Sequence, residues 1–408
     1  MNLFLLKQLV RSIWFRPALY ALASVFTIGL TPIVALFIPE NWIGWINDGA
    51  VEQTLEILAS SLLAVAIFAL ATMFQAFQAA AQAATPRARP LMTEDRTAQT
   101  AVSTFIGAFL FSLLALIGLS TGLYAEADLP VLFALTLILV GVVIYALIRW
   151  IQRLSGFGGV EQAILAIEGA ACEAIRSDVR QPGLGGRSAT EPPAEAEPVA
   201  AECTGYVQSV DSHRLAGLIA RHDIRIHILA RPGHFVGAGR PLACATGLTE
   251  EVADCIRDAF VVATERTFAE DPRFGLVALS EIASRALSPA VNDPGTAISV
   301  LAAHTRLFEK WTRLRSECDP VDPVDGLTAE PLDIGEALED AFLAIARDGA
   351  GHVEVASRLQ VVLAMLERTD ADRYGEGVAR LRERALDYAR DRLGEGWEYD
   401  AVKSAAAT

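Results

Sequence analysis

Four stretches in the first part of this 408-residue chain are long, apolar and free of charge, and they limit the fold more than any other feature. A helix needs about 20 such residues to cross a bilayer, where every backbone polar group has to be satisfied within the segment. The spacing predicts spans at about 17–38, 57–78, 100–123 and 129–149, all inside residues 1–153. The expected fold class is an α-helical multi-pass membrane protein with four transmembrane helices. Its cytoplasmic part is read as a small all-β module followed by an α-helical domain. The first apolar stretch is too long for a cleaved signal peptide and lacks a small-residue cleavage pattern.

Orientation follows from the distribution of Lys and Arg beside the spans. Lys7, Arg11 and Arg16 precede the first. Arg87, Arg89 and Arg96 lie between the second and third, and Arg149 and Arg153 end the fourth. The other two connections hold no basic residue and carry Glu40, Asp48, Glu52, Glu126 and Asp128. Both termini are therefore expected in the cytoplasm of a bacterial inner (plasma) membrane protein. Trp14, Trp42, Trp45, Tyr124 and Trp150 fall at span ends, where interfacial aromatics belong.

Apart from Arg149 at the very end of the fourth, no Asp, Glu, Lys, Arg or His lies inside the expected spans, which argues against a proton relay or ion-coupled carrier. Two polar or small-residue patterns remain. Ala108, Ser112, Ala115, Gly118 and Gly122 follow one helical face of the third span, ending in a Gly-x-x-x-Gly pair. That face reads either as close packing within the bundle or as a subunit contact in a homo-oligomer. Thr72, Gln75, Gln78 and Gln82 form a stripe at the end of the second span. It reads either as the solvated side of a helix leaving the membrane or as the lining of a pore mouth.

Charge separates the two parts of the chain. Residues 1–153 hold eight basic and eight acidic residues, so the net charge of −15 lies entirely in the remainder, with 26 basic and 41 acidic. Such a surface disfavours nucleic acid as a partner. Residues 154–180 have helical periodicity and read as a juxtamembrane helix. Residues 181–201, rich in Pro, Gly, Ala and Glu, read as a flexible linker. Residues 202–247 show short alternating runs, including a half-buried strand at Ile224–Leu229, and form the β module. A lipoyl- or biotin-type arm would need a lysine, which the module lacks, so no cofactor is expected. Residues 248–408 read as helical, with an acidic, solvated loop within 316–346.

No metal site is expected. The five cysteines have no zinc-type spacing. His213, His222, His227 and His234 are separated by 9, 5 and 7 residues and read as surface histidines. Asp271-Pro272 and Asn292-Asp293-Pro294 each look like a helix start, with Asp as the cap and Pro in the first turn. No P-loop, dinucleotide fingerprint or nucleophile elbow is present, and no catalytic residue is assigned.

The segment Glu265-Arg266-Thr267-x-x-x-Asp271-Pro272-x-Phe274-Gly275 is followed by Arg285-Ala286-Leu287-Ser288-Pro289-x-x-Asn292-Asp293-Pro294-x-Thr296-Ala297. Together they resemble the signature of a bacterial membrane-protein family catalogued as domain of unknown function 2254. Thr85-Pro86-Arg87, Asp95, Gln99, Gly205-Tyr206-Val207, Asp211 and Pro232-Gly233-x-Phe235-Val236 agree, and the resemblance covers roughly residues 1–310. It implies a multi-pass inner-membrane protein with a cytoplasmic domain, and supplies no activity. Three function classes stay open: an oligomeric channel with a cytoplasmic regulatory domain, which the charge-free spans and glutamine stripe favour; a non-conducting scaffold or sensor anchored in the lipid bilayer; and a membrane-bound enzyme.

Overall fold

Uninterrupted apolar runs of about 20 residues with few charges fold most readily as helices, which close their backbone hydrogen bonds within the segment. The computed structural model describes residues 15–35, 48–83, 85–88, 91, 96–125, 127–154 and 159–406. They divide between two units, Met1–Gln162 and Ala163–Thr408. The first contains α1 (Phe15–Ala35), α2 (Asp48–Ala83), α3 (Arg96–Ser120) and α4 (Leu129–Leu154). Each has a window long and apolar enough to cross a membrane: Pro17–Ala35, Gly49–Gln75, Gln99–Ser120 and Leu129–Gln152. The second helix starts nine residues before the expected 57, so Asp48 and Glu52 lie on its opening turns and not in a connection. Carboxylates on exposed turns do not stop a helix, so charge alone does not mark its boundary. Trp14, Trp42, Trp45, Asp95, Lys7, Arg11 and Arg89 lie outside the described residues.

The third helix is the centre of this unit. Of its apolar window 56% is buried, against 17%, 22% and 22% for the others, and it packs on α1, α2 and α4. Ala108, Ser112, Ala115 and Gly118 are all buried inside the single chain. Gly118 has a specific neighbour: a Cβ there would lie 2.4 Å from Cε2 of Tyr124, whose hydroxyl donates to the Ile28 carbonyl at 3.4 Å. Gly122 lies in the turn after the helix, exposed and with φ of 69°, so the two glycines do not form one packing face. Trp150 is buried and packs edge-on to Phe68 at 6.2 Å. Tyr124 and Trp150 thus act as packing residues.

The second unit opens with α5 (Val160–Arg180), which presents Ile164, Ile167, Ala171 and Ile175 to the core. Then come β1 (Arg187–Ser188), β2 (Glu197–Ala200), β3 (Gly205–Val210), α6 (Ser212–His222), β4 (Ile226–Ile228), β5 (Phe235–Val236), β6 (Pro241–Ala245), α7 (Glu250–Arg257) and β7 (Phe260–Ala263). Next are α8 (Pro272–Ala286), α9 (Pro294–Glu317), β8 (Leu327–Ala329), α10 (Ile334–Asp348), α11 (Val353–Thr369), α12 (Ala371–Leu393) and α13 (Trp397–Ala406). One sheet has the order β1-β8-β4-β6-β2 and the other β5-β3-β7.

Three expectations are corrected here. Residues 181–201 are not a linker, because β1 pairs with β8 and β2 pairs with β6. The sheet is not confined to 202–247: β8 comes from the acidic 316–346 stretch and pairs in parallel with β4, and β7 adds to β3. Ile226–Ile228 is fully buried instead of half-buried, because sheet neighbours on both sides close over it. His227 is consequently a core residue, its Nδ1 2.9 Å from Thr328 Oγ1, with burial holding its pKa down.

The helical core gathers Phe308, Trp311, Phe342 and Tyr374, with ring centroids 5.6–6.0 Å from Phe308. His304 is fully buried beside them. Its Nε2 donates to the Leu276 carbonyl at 3.2 Å, while Nδ1 has no partner, which requires the neutral ring with the proton on Nε2. Burial lowers its pKa from 6.5 to about 3. The unfolded chain accepts that proton near 6.5, so the contribution is complete above pH 6.5 and is lost as pH falls towards 3, by at most about 5 kcal/mol. In His304→Leu, the dependence of unfolding free energy on pH between 6.5 and 4 should flatten by about 1.4 kcal/mol per unit, measured by denaturant unfolding of the full chain in detergent. An unchanged slope would show that this imidazole titrates normally in the fold.

In the first unit, Gly118→Leu should displace Tyr124 and lower stability by about 1–3 kcal/mol. Leu119→Ala, on a half-buried position, should cost less. Thermal melting in one detergent checks the order.

Candidate functional site

Two helices of the second unit begin at the same place. At the start of α8, Asp271 caps the helix by accepting from the N–H groups of Arg273 and Phe274, both at 3.1 Å. At the start of α10, Asp333 does the same for Gly335 and Glu336, at 2.7 and 3.2 Å. Side-chain oxygens at these positions satisfy amides that the helix itself leaves open. Arg273, in the first turn of α8, reaches across to Asp340 at 2.6 Å and to Glu336, locking the two helices together.

Between these helix ends, the β4–β5 loop and residue 190 lies a cleft of about 670 Å³. Arg231, Gly233, His234 and Phe235 form one wall, Arg266 and Glu270 to Arg273 a second, and Glu330 to Asp333 with Glu336 a third. Glu270 also borders a smaller cavity of about 350 Å³ that includes Asp178, Asp211 and His213.

The arginines of the cleft are engaged. Arg231 donates to Asp178 Oδ1 at 2.7 Å and to the carbonyls of Glu330 and Pro182 at 2.6 and 3.3 Å. Burial lowers its pKa and raises that of Asp178, and each partner opposes the shift of the other. Arg266 bonds Asp271 Oδ2 through Nε and an Nη at 2.8 and 2.7 Å and lies over the Phe274 ring. Burial raises the Asp271 pKa despite Arg266 and the two backbone donors.

The unpaired groups behave differently. His234 is solvent-accessible, yet desolvation at the cleft wall, then Arg273 and Arg231, hold its pKa below 6.5. Desolvation raises the pKa of Glu270, which accepts only from the Val210 N–H, at 3.4 Å.

The signature segments found in the sequence converge here. Gly233 has φ of 94°, and a Cβ on it would come 2.3 Å from Asp271 Oδ2. The β4–β5 loop and the first Asp-Pro segment therefore fit only with a bare backbone at 233. A Cβ on Gly275 would meet that of Ala171 at 2.3 Å, so the same segment brings α8 against α5.

The second segment does not join them. Asn292 and Asp293 are exposed and line none of the described cavities. Asn292 takes a left-handed φ of 50°, which asparagine tolerates, and Asp293 caps α9 through the Thr296 N–H and hydroxyl, at 3.1 and 2.6 Å. Those bonds, the hydroxyl first, lower its pKa. Ser288 Oγ donates to the Arg285 carbonyl at 2.6 Å, and Thr267 is half-buried. Of the remaining signature residues, the Arg87 N–H donates to Thr85 Oγ1 at 3.4 Å, and the Gln99 carbonyl accepts from Ser103. Along α2, Gln75 is exposed, Thr72 and Gln78 are half-exposed, and the Gln82 side chain lies outside the described set.

His234, Glu270, Glu330 and Asp333 were missed as site residues. Glu330 and Asp333 lay within an acidic stretch that resembled a solvated loop, and only the long-range β8–β4 pairing brings them to the cleft. Among the described residues, no group of three or more His, Cys, Asp or Glu is arranged to hold a metal.

Four helices of membrane-spanning length, followed by a strand-containing unit with a charged cleft, fit a membrane protein. The chain belongs to the family described as Predicted membrane protein (DUF2254), whose model matches residues 10–365, further than the 310 expected from the sequence. It is similar to uncharacterized protein Rv1290c of Mycobacterium tuberculosis and uncharacterized protein Mb1321c of Mycobacterium bovis. Each is 38% identical over 118 residues, which is 27% of this chain and 22% of the mycobacterial protein. The chain thus spans about a fifth of the length of those relatives. No solved structure matches it.

Gly233→Ala should push Asp271 off its cap and destabilise the second unit by about 1–3 kcal/mol. Asp293→Ala should cost about 0.5–2 kcal/mol and Asp293→Asn only a few tenths, as for a plain exposed cap. Loss of function in a folded Asp293→Asn protein would instead assign that charge a role beyond capping.

Proposed function

We propose that this chain is a membrane-anchored receptor, a non-conducting sensor whose water-facing unit binds a small charged ligand. The observation that carries the reading is the tie between the cleft and α5. That helix follows the last apolar helix after residues 155–159, and its Asp178 holds the cleft arginine Arg231. A ligand that shifts the β4–β5 loop would alter that bond, and so bias α5. The cleft volume of about 670 Å³ is typical of small-molecule sites. The excess of Lys and Arg in alternate connections supports a bacterial inner-membrane location with both termini, and the receptor unit, in the cytoplasm.

A pore is the second reading, favoured by the exposed Gln75 on α2. Its lining would have to come from several copies in a homo-oligomer. The buried hydroxyls Ser103, Thr104, Ser112 and Thr136 each bond a carbonyl four residues back on their own helix, so they offer no donor to a passing ion.

Liposome flux and thermal melting separate the two. The receptor reading expects no ion flux over a wide range of voltage, and a rise in melting temperature with one charge class of small molecule that His234→Trp abolishes by filling the cleft. Flux that Gln75→Leu or Gln78→Glu alters would favour the pore and overturn the receptor.

A further inference from the structure

The charges of the cleft fall into two groups, those already bonded and those left over. Arg231, Arg266 and Arg273 are each bonded to a carboxylate of the protein. The two helix N-termini, which would otherwise attract an anion, are filled by Asp271 and Asp333. An incoming anion would therefore have to displace an internal carboxylate and leave it unpaired beside the site, which is costly at partly buried positions.

What remains is of one kind. Glu330 has no hydrogen bond or ion pair through its carboxylate among the described residues, although Arg231 is near. Glu270 has one long bond, to the Val210 N–H. His234 has no side-chain partner among the described residues, and the Thr190 hydroxyl is exposed. Phe235 lines the cleft and is 60% exposed, with Tyr206 in a T-shaped contact at 5.1 Å, so much of its ring is left open. Counting the cleft and the partners Asp178 and Asp340, three arginines stand against seven carboxylates. Two acceptor carboxylates, a histidine and an open aromatic face complement a positive charge that carries N–H donors, with the ring adding cation–π attraction.

We propose that the ligand of this cleft is a small organic cation bearing N–H groups, of the primary-amine or polyamine class, held by Glu270 and Glu330 against Phe235. This rests on the receptor reading above and names its ligand class. The amine donates to the two carboxylates, and its methylene groups lie on the phenyl ring. The paired arginines stay with their own carboxylates and keep the cleft from collapsing onto the free ones.

The test is isothermal titration of the full chain in detergent or nanodiscs, at about 0.15 M salt so that loose surface attraction is screened. The probes are spermidine, putrescine, tetramethylammonium, inorganic phosphate and citrate. Spermidine or putrescine should bind one per chain, and tetramethylammonium, without N–H donors, at least tenfold more weakly. Glu270→Gln and Glu330→Gln, which keep side-chain shape, should each weaken amine binding about tenfold or more, and Phe235→Ala severalfold, with melting temperatures unchanged. Glu354→Gln, on an exposed first turn of α11, should leave binding as in the wild type. Amine binding indifferent to Glu270 and Glu330, or weakened equally by Glu354→Gln, overturns the proposal. Binding of phosphate or citrate in place of the amines also overturns it, while leaving the receptor reading intact. Binding of none of the probes overturns both.

Discussion

The buried ion pair of Arg231 and Asp178 holds the second unit to one arrangement. Side-chain exposures of 7% and 12% place both charges out of water, a position that costs several kcal/mol unless the remaining donors and acceptors are met. Arg231 meets them with the carbonyls of Pro182 and Glu330. One guanidinium therefore fixes the end of α5, the residues after it, the β4–β5 loop and the exit of β8. These segments are far apart in sequence and they define the cleft. Gly233 then lets the Asp271 carboxylate close against the loop, and Arg273 clamps α8 to α10.

The other unit follows a simpler rule. Its helices are apolar, the buried hydroxyls of Thr31, Ser103, Thr104, Ser112 and Thr136 bond carbonyls one turn back on their own helices, and its packing centre is the small-residue face of α3. Ser24 Oγ, 2.8 Å from the Gly107 carbonyl, and Tyr124, bonded to Ile28, are cross-helix bonds. A helix set of this kind suits an anchor, with polar function concentrated elsewhere in the chain.

The sequence made some of this legible and hid the rest for physical reasons. Uninterrupted apolar runs exposed the four long helices, since length and absence of charge are local properties. Asp-Pro pairs exposed the starts of α8 and α9 because a cap and its helix are adjacent. The first start proved to be a cleft wall as well, and the Asp-Pro pair by itself does not distinguish Asp271 from Asp293. The difference is Arg266, which reaches the former, and Gly233, which arrives from about 40 residues earlier. Residues 181–201 read as a linker from their Pro, Gly, Ala and Glu content, and strands of two and four residues leave no periodicity to oppose it. The parallel pairing of β4 with β8 joins residues about 100 apart, so the acidic stretch carried no sign that Glu330 borders a cavity. His227 followed the same logic: alternation suggested a half-buried strand, and the neighbours that bury its other face come from distant sequence.

If Arg231 is the node that joins the cleft to α5, its removal must be felt at every segment it holds. Amide hydrogen exchange of the full chain in nanodiscs, comparing wild type with Arg231→Met, measures this directly. The account predicts faster exchange together at residues 176–182, 229–235 and 327–333, with α11 and α12 as protected as before. Faster exchange confined to 229–235, with the end of α5 unchanged, would contradict it.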